Sequence, residues 1–335
     1  MPTDRVIPLQ RVRRPARSIL ATVLALILAA AVPGCAATAR DQVRYPDGGI
    51  TIASGSTAGV YYGYATEYAR VLRQDLRGLK VKVVTTSGSV DNLIRLDGNT
   101  AQLGFATADT AYNATDSKAT YPASKDLRAI ARIYDEYLHL VVPANSKVRS
   151  IRDLHGLRVS TGAVKSSTEV TAGRTLEAVE LDAERDLKRH RLGLDGSIQA
   201  FRNGQIDAFF WSGGLPTSGI KDLASRLPIR LVPLGEQVNW LRRHYGTYYR
   251  RAEVPSTTYP DVQQAVTVGV PNYLVVSGDL EERLVYELTR VLFQYRREIG
   301  AKVPSGRLLD ARSAISTMPV QLHPGAERYY RDVKA

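Results

Sequence analysis

The sequence predicts an α/β protein of two lobes, joined by a hinge around a central ligand cleft. From Ile50 onward, strand-like and helix-like segments alternate, which is typical of helices that cover a mainly parallel sheet. This series stops at Pro143, a second series follows, and the chain returns to the first unit near residue 260. Two crossings between two units make a hinge, and open α/β sheets bind ligands at the C-terminal ends of their strands.

The first lobe is predicted to comprise residues 50–143 and 260–335. Its strands are predicted from β-rich runs at 50–53, 79–85, 102–106, 137–142 and 266–276. Its helices are predicted after Gly59, at 89–96, at 109–113, at 280–299 and from Pro324 onward. The segment at 280–299 has the strongest helical spacing of apolar residues and is expected to pack on the sheet.

The second lobe is predicted to comprise residues 144–259. It has strand-like runs at 157–160 and 206–210 and a third in PIRLVPLG, each separated by a segment of helical spacing. The lobe therefore repeats the organisation of the first without repeating its sequence.

The first 35 residues are predicted to be a lipoprotein signal peptide. Five arginines precede an apolar run at 18–32, and Val32-Pro33-Gly34-Cys35 resembles a bacterial lipobox. The apolar run is shorter than the roughly 20 residues that a membrane-spanning helix needs. An ordinary signal peptide or a short anchor helix is the alternative. Residues 36–49 are polar and are predicted to be a flexible tether.

Cysteine content and charge exclude several function classes. Cys35 is the only cysteine, so disulfides, thiolate nucleophiles and cysteine metal sites are excluded from the folded part. The formal net charge is +12, in dispersed clusters that indicate a solvated surface or attraction to anionic lipid or an acidic ligand. Because the chain carries an export signal, we expect no nucleic-acid partner.

Three loops combine small and hydroxyl residues at the start of a predicted helix. They are GSTAG at 55–59, TTSGSVDN at 85–92 and TGAVKSST at 161–168. Helix N-termini present unpaired N–H groups and partial positive charge, so a carboxylate or another anion fits there without a metal. Ordinary helix capping explains any one of these loops equally well. Three of them, spread over both lobes, favour an anion site.

Catalytic motifs are weak. The five histidines are scattered, and no pair has metal-ligand spacing, so we predict no metal and no cofactor. Ser218 and Lys221 match the S-x-x-K signature of serine acylases, but the companion motifs S-D-N and K-T-G are absent. The protein is predicted not to be an enzyme.

Seven segments in order resemble the TAXI family, the solute-binding receptors of tripartite ATP-independent periplasmic (TRAP) transporters. They are ASGSTAGVYYGYATEYARVL, VVTTSGSVDNLIRL, QLGFATADTAYNA, IYDEYLHLVV, STEVTAGRTLEA, IDAFFWSGGLPT and LHPGAERYY. The resemblance covers roughly residues 48–333. The resemblance implies a type II periplasmic-binding-protein fold with a ligand between the lobes. It also implies a small carboxylate ligand, such as glutamate, and a membrane permease with a small and a large subunit.

The resemblance also implies a set of ligand-binding residues. They are Ser56, Thr57, Gly59, Tyr61, Tyr62, Ser87, Gly88, Ser89, Asn92, Thr107, Ala108, Asp109, Ser166, Thr168, Trp211, Gly213 and Pro216. Lys165 and Ser167 stand where the family usually has glycines, so glutamate is not simply carried over. We expect both to belong to the site, with Lys165 either paired with an anionic ligand or pointing to solvent.

The sequence thus predicts an exported receptor, lipid-anchored through Cys35 to the outer face of the cell membrane or periplasmic. It is expected to capture a small anionic solute, of the amino-acid or organic-acid class, and to deliver it to a TRAP permease. A monomer is expected, because a lobe that must swing has little surface for a permanent interface. A sensory receptor for a membrane kinase is the main alternative, and a secreted serine hydrolase is the other.

Overall fold

A computed structural model describes residues 43–115 and 126–334. The strands are β1 (Ile50–Ala53), β2 (Val81–Val84), β3 (Leu103–Thr107), β4 (Leu127–Pro143), β5 (Arg158–Ser160), β6 (Lys188–His190), β7 (Ala208–Gly213), β8 (Ile229–Leu231), β9 (Arg250–Val254) and β10 (Ala265–Ser277). The predicted signal peptide, Cys35 and residues 36–42 of the predicted tether lie outside the described residues.

The helices alternate with these strands, as the α/β prediction requires. They are α1 (Val60–Asp75), α2 (Ser89–Asp97), α3 (Ala108–Thr115), α4 (Ser167–Glu177), α5 (Leu194–Arg202), α6 (Ser218–Arg226), α7 (Val238–His244), α8 (Glu282–Gln294), α9 (Arg296–Lys302), α10 (Ala311–Ala314) and α11 (Pro324–Asp332). Within the described ranges, no helix is long and apolar enough to cross a membrane.

Parallel strands form the two ends of one sheet. Its order is β2-β1-β3-β10-β4-β7-β5-β6, with β8 paired to β4 and β9 paired to β10. At one end β1 pairs in parallel with β2 and β3, and at the other β5 pairs in parallel with β6 and β7. These two groups are the sheets of the two lobes, and each carries its own helices.

The two long strands β4 and β10 join the lobes. β4 has 17 residues and β10 has 13, and they pair antiparallel along most of their length. β10 pairs with β9 through residues 265–269 and with β3 through residues 272–276. β4 pairs with β7 through residues 137–141. The strand partners therefore change near 135–137 and 270–272, whereas the lobe boundaries predicted from sequence, at 143 and 260, remain a prediction.

Sequence analysis did not predict the first half of β4 or any part of β9. Residues 127–134 alternate buried apolar side chains with arginines, and the strand prediction began only at residue 137. β9 has the sequence RRAEV, whose exposed arginines and glutamate give no apolar signal. Both segments are strands because long neighbours supply their hydrogen-bond partners, which a local pattern does not reveal.

Aromatic and aliphatic packing fixes the helices of the first lobe to the sheet. Phe105 of β3 stacks on Tyr61 with ring centroids 5.0 Å apart and meets the edge of Tyr64 at 5.7 Å. The Tyr68 hydroxyl donates to the Leu288 carbonyl at 2.6 Å, which ties α1 to α8. The apolar face of α8 is buried as predicted, although the helix predicted at 280–299 is divided between α8 and α9.

Replacing Leu288 with alanine should lower the free energy of unfolding by about 2–5 kcal/mol, because its side chain is fully buried and leaves a cavity. Leu308→Ala is the matched control, since Leu308 is 56% exposed and should cost less than about 0.5 kcal/mol. Urea unfolding of the two variants measures the difference. Equal destabilisation would contradict the placement of α8 in the core.

Candidate functional site

The three predicted loops meet at one small cavity between the lobes. Its volume is about 20 Å³, which is room for about one water molecule. The lining residues are Gly55, Ser56, Gly59, Val60, Tyr61, Ser87, Gly88, Glu136, Ser166, Ser167, Thr168, Trp211, Ser212 and Gly213. The lobes are thus in contact, and a solute of several heavy atoms enters this space only when they separate.

Three helices begin at the cavity wall. α1 starts after Gly59, α2 after Gly88 and α4 after Ser166. The Ser166 hydroxyl accepts the Glu169 N–H at 3.0 Å and caps α4, whereas Gly59 and Gly88 offer no capping side chain. The first N–H groups of α1 and α2 therefore lack a side-chain cap. They lie where the helix dipoles favour a negative charge.

Gly88 lets the loops of the two lobes approach each other. Its φ is +126°, a conformation that favours glycine, and an added Cβ would lie 3.4 Å from Cα of Ser166. The Asp91 N–H donates to the Lys165 carbonyl at 3.0 Å beside this contact. The start of α2 and the loop before α4 thus touch through backbone.

The cavity is lined by a buried carboxylate, Glu136, which sequence analysis did not identify. Glu136 lies on β4 and is 2% exposed. One carboxylate oxygen accepts the Ser212 hydroxyl at 2.7 Å and the Ser167 hydroxyl at 3.5 Å, and the other accepts Nδ2 of Asn272 at 2.7 Å. The signal was present in the segment IYDEYLHLVV, where an acidic residue interrupts a strand that is otherwise largely apolar.

Burial raises the pKa of Glu136 to about 7, although hydrogen bonds from Tyr61, Ser212 and Asn272 favour the charged form. Repulsion from Asp109 acts in the same direction as burial. The pKa of Tyr61 is raised well above its usual range, first by burial and then by the charge of Glu136. Glu136 therefore exchanges its proton near neutral pH.

The structure brings ten of the predicted residues to the cavity. They are Ser56, Gly59, Tyr61, Ser87, Gly88, Ser166, Ser167, Thr168, Trp211 and Gly213. Nine predicted residues do not line it. They are Thr57, Tyr62, Ser89, Asn92, Thr107, Ala108, Asp109, Lys165 and Pro216.

The side chain of Asn92 lies behind the cavity wall and does not line the cavity. Its Nδ2 donates to the carbonyls of Ser54 at 2.8 Å and Phe105 at 2.9 Å, and its Oδ1 accepts the Thr86 hydroxyl at 2.6 Å. Ser89 lies in the same layer, where its hydroxyl is 3.1 Å from that of Tyr61. Both side chains form hydrogen bonds within the protein and do not line the cavity.

Asp109 was also predicted to be a ligand residue, but its buried side chain bonds across the lobes. Its Oδ2 accepts the hydroxyls of Thr171 at 3.0 Å and Tyr249 at 2.9 Å, and Arg174 lies 3.8 Å away. Its neighbours Thr107 and Ala108 are buried in the same turn, away from the cavity. The segment 107–109 therefore holds the closed arrangement of the lobes.

Lys165 points to solvent, the second of its two predicted positions. Its side chain is exposed, and only its backbone takes part in the loop: it has a φ of +66°, and its N–H donates to Glu169 at 3.0 Å. Ser167 does line the cavity. The lysine therefore occupies a left-handed position without adding charge to the cavity wall.

The remaining predicted residues lie beside the cavity. Tyr62 follows Tyr61 by one position on α1, and successive helical side chains differ by about 100°, so only Tyr61 faces the cavity. Thr57 is exposed, and its hydroxyl lies 3.4 Å from Asp195 of the second lobe. Pro216 lies just beyond the end of β7. The Ser218 hydroxyl donates to the Ala58 carbonyl at 2.9 Å, a contact between the lobes that does not involve Lys221.

The fold is that of the type II periplasmic binding proteins, with two α/β lobes and a shared sheet. The NMT1-like family matches residues 52–333, so the chain belongs to that family.

Solved structures share this fold at low sequence identity. A putative L-cystine ABC transporter protein from Listeria monocytogenes has a TM-score of 0.50 at 15% identity and covers 78% of this chain and 98% of its own. A structure from work on glutathione import via GshT and the cystine ABC importer TcyBC of Streptococcus mutans has a TM-score of 0.50 at 16% identity, over 78% and 96%. The periplasmic aliphatic sulphonate-binding protein SsuA from Escherichia coli gives 0.48 at 16%, over 85% and 82%.

The Glu136 contribution to the free energy of unfolding should fall as the pH rises from about 5 to about 8, whereas the contribution of His139, whose pKa is lowered by burial to about 4, rises over the lower part of this range. Burial raises the pKa of Glu136 from 4.5 to about 7, so between these values the folded state holds a proton that the unfolded state has released. The Glu136 contribution to stability therefore decreases with pH across this interval, by about 3 kcal/mol for the full shift, and levels off above it.

Urea unfolding at pH 5, 6, 7 and 8 measures this component in the wild type and in Glu136→Gln, where it should be absent. Glu253→Gln is the matched control, because it removes an exposed carboxylate and should keep the wild-type slope. The same pH dependence in wild type and Glu136→Gln would show that Glu136 does not titrate as described.

Proposed function

We propose that this protein is an extracytoplasmic solute receptor that binds a small carboxylate-bearing molecule between its lobes and delivers it to a TRAP permease. The observation that carries the proposal is the convergence of three helix N-termini on one cavity between the lobes. Such termini stabilise a carboxylate through their N–H groups and dipoles. The resemblance of the seven sequence segments to TAXI receptors supports the TRAP assignment.

Capture of the solute is an opening and closing of the lobes. In the closed arrangement, bonds between the lobes join Ser56 to Asp195, Ser218 to Ala58, and Asp109 to both Thr171 and Tyr249. A solute between the lobes contacts both of them and holds them farther apart than they are here, so it shifts the equilibrium by its greater affinity for the form that closes around it. No bond of the solute is made or broken in this mechanism.

A permease and a lipid anchor complete the proposal. Two solved structures of this fold come from a putative L-cystine ABC transporter and from work on glutathione import, which supports a transport role for a receptor of the same fold. A sensory receptor with a membrane kinase as partner would have the same lobes and cavity. We propose a monomer, anchored by an acylated Cys35, because lobe movement needs free surface around the cleft.

Removing the hydroxyl of Ser167 should weaken solute binding about threefold to tenfold, since it lines the cavity and a neutral hydrogen bond contributes roughly 0.5–1.5 kcal/mol. The solute is identified first by mass spectrometry of what co-purifies with the soluble chain, and affinity is then measured by calorimetry. Ser225→Ala is the matched control, because the Ser225 hydroxyl donates only to the Asp222 carbonyl on α6. Unchanged affinity in Ser167→Ala would remove this cavity as the binding site.

Replacing Cys35 with alanine should release the protein from the membrane, because Cys35 is the only thiol that can be acylated. Thermal unfolding should not change, because Cys35 precedes the predicted folded part. Membrane fractionation and thermal melting measure the two effects. Unchanged membrane retention of Cys35→Ala would contradict the lipid anchor and leave the receptor proposal intact.

A further inference from the structure

Glu136 lies where the lobes meet and where they would separate. Its side chain is 2% exposed, lines the cavity and belongs to the segment 135–137, in which β4 changes its strand partners. Its hydrogen-bond partners come from both sides: Ser167 and Ser212 belong to the second lobe, and Asn272 lies where β10 pairs with β3. Contact between the lobes therefore excludes water from this carboxyl group, and their separation hydrates it.

The closed cavity accommodates a neutral Glu136 with its hydrogen bonds intact. Nδ2 of Asn272 donates to one carboxyl oxygen at 2.7 Å, and the other oxygen lies 2.7 Å from the Ser212 hydroxyl. A hydroxyl group both donates and accepts, so Ser212 can accept the proton of a neutral carboxyl group as well as donate to a carboxylate. Protonation of Glu136 is thus compatible with contact between the lobes.

A charge on Glu136 is poorly compensated in the same arrangement. The cavity volume of about 20 Å³ leaves room for about one water molecule. Among residues 43–115 and 126–334, the groups that act most strongly on the charge are neutral hydrogen-bond donors and Asp109, which repels it, and none is a lysine, an arginine or a histidine. Burial outweighs the donors and raises the pKa of Glu136 to about 7. Ionisation therefore makes contact between the lobes less favourable.

The other titratable groups near Glu136 come from three elements. Tyr61 on α1 and Tyr134 on β4 have their pKa values raised well above the usual range, first by burial, so both are neutral at physiological pH. Asp109 at the start of α3 has an arginine 3.8 Å away and bonds to the second lobe outside the cavity. His139 lies on the opposite face of β4, because alternate residues of a strand face opposite sides. The groups from β7, β10 and α4 are neutral hydroxyls and an amide.

We propose that Glu136 is a proton switch for the empty receptor, which closes when Glu136 is protonated and opens when it is ionised. The closed cavity does not admit a solute of several heavy atoms, so capture needs the open form and acid slows loading of any solute. This inference rests on the lobe movement of the proposed receptor function, and it does not depend on the identity or charge of the solute.

Fluorescence energy transfer between the lobes of the empty protein tests the inference. Dyes that are insensitive to pH are attached through Thr66→Cys on α1 and Ser225→Cys on α6, two exposed positions in the first and second lobes. Cys35→Ala removes the only native thiol, and refolding from urea removes any bound solute. The ratio of closed to open molecules should fall about tenfold to a hundredfold from pH 5 to pH 8, because the closed form holds the proton of Glu136 more tightly than the open form.

The variant Glu136→Gln assigns the response to Glu136. Glutamine is neutral at every pH, and its amide offers an acceptor to Asn272 and a donor to Ser212, as the protonated carboxyl group does. The variant should stay closed from pH 5 to pH 8, with a change in the ratio of less than about twofold. Glu253→Gln is the matched control, because it removes an exposed carboxylate on β9 and should keep the wild-type response.

Two outcomes overturn the inference. A closed fraction of the otherwise wild-type protein that is constant or rises between pH 5 and pH 8 does so, and this measurement decides even where Glu136→Gln fails to fold. The same pH response with and without Glu136→Gln also does so, since another group then moves the lobes. Neither outcome concerns binding of a solute at the cavity, which the Ser167→Ala prediction tests separately, so the receptor proposal stands or falls on its own.

Discussion

The antiparallel pairing of β4 with β10 is the interaction on which both lobes and the cavity depend. Each strand begins in one lobe and ends in the other, so every opening or closing movement is borne by this pair. The same ladder supplies Glu136 and Asn272, whose side chains meet at 2.7 Å beside the cavity. Its register shifts after Asn272, as is common beside functional sites, where an irregularity re-aims side chains. Hinge and polar site are thus parts of one strand pair.

Charge in the cleft comes from two different sources. Each of the three strand–loop–helix units ends in a helix N-terminus, and the backbone dipoles of these termini provide a diffuse positive potential. Glu136 provides one localised carboxyl group, negatively charged above about pH 7 and held by donors from β7, β10 and α4. The two sources lie on the same small cavity, so its wall carries both signs of potential when Glu136 is ionised.

The alternation of strands and helices, the two-lobed organisation and the three loops were predictable from sequence, because each rests on local patterns of apolar and hydroxyl residues. The loop pattern correctly brought Ser56, Gly88 and Ser166 to the cavity. It could not separate cavity-lining side chains from those used inside the protein, such as Asn92 and Asp109, since that depends on partners 13 to 140 residues away. Glu136 was missed because a carboxylate in a strand carries no motif.

The bonds of Asp109 to Thr171 and Tyr249 lie away from the cavity wall, and they join the lobes in this closed arrangement. They therefore set the fraction of empty receptor that is already closed. The closed form has no room for a solute of several heavy atoms, so apparent affinity is the intrinsic affinity scaled by the fraction that is open, and a change at Asp109 alters binding of every solute by one common factor. Selectivity and overall affinity are consequently determined by different residues, so a substitution that changes one leaves the other unchanged.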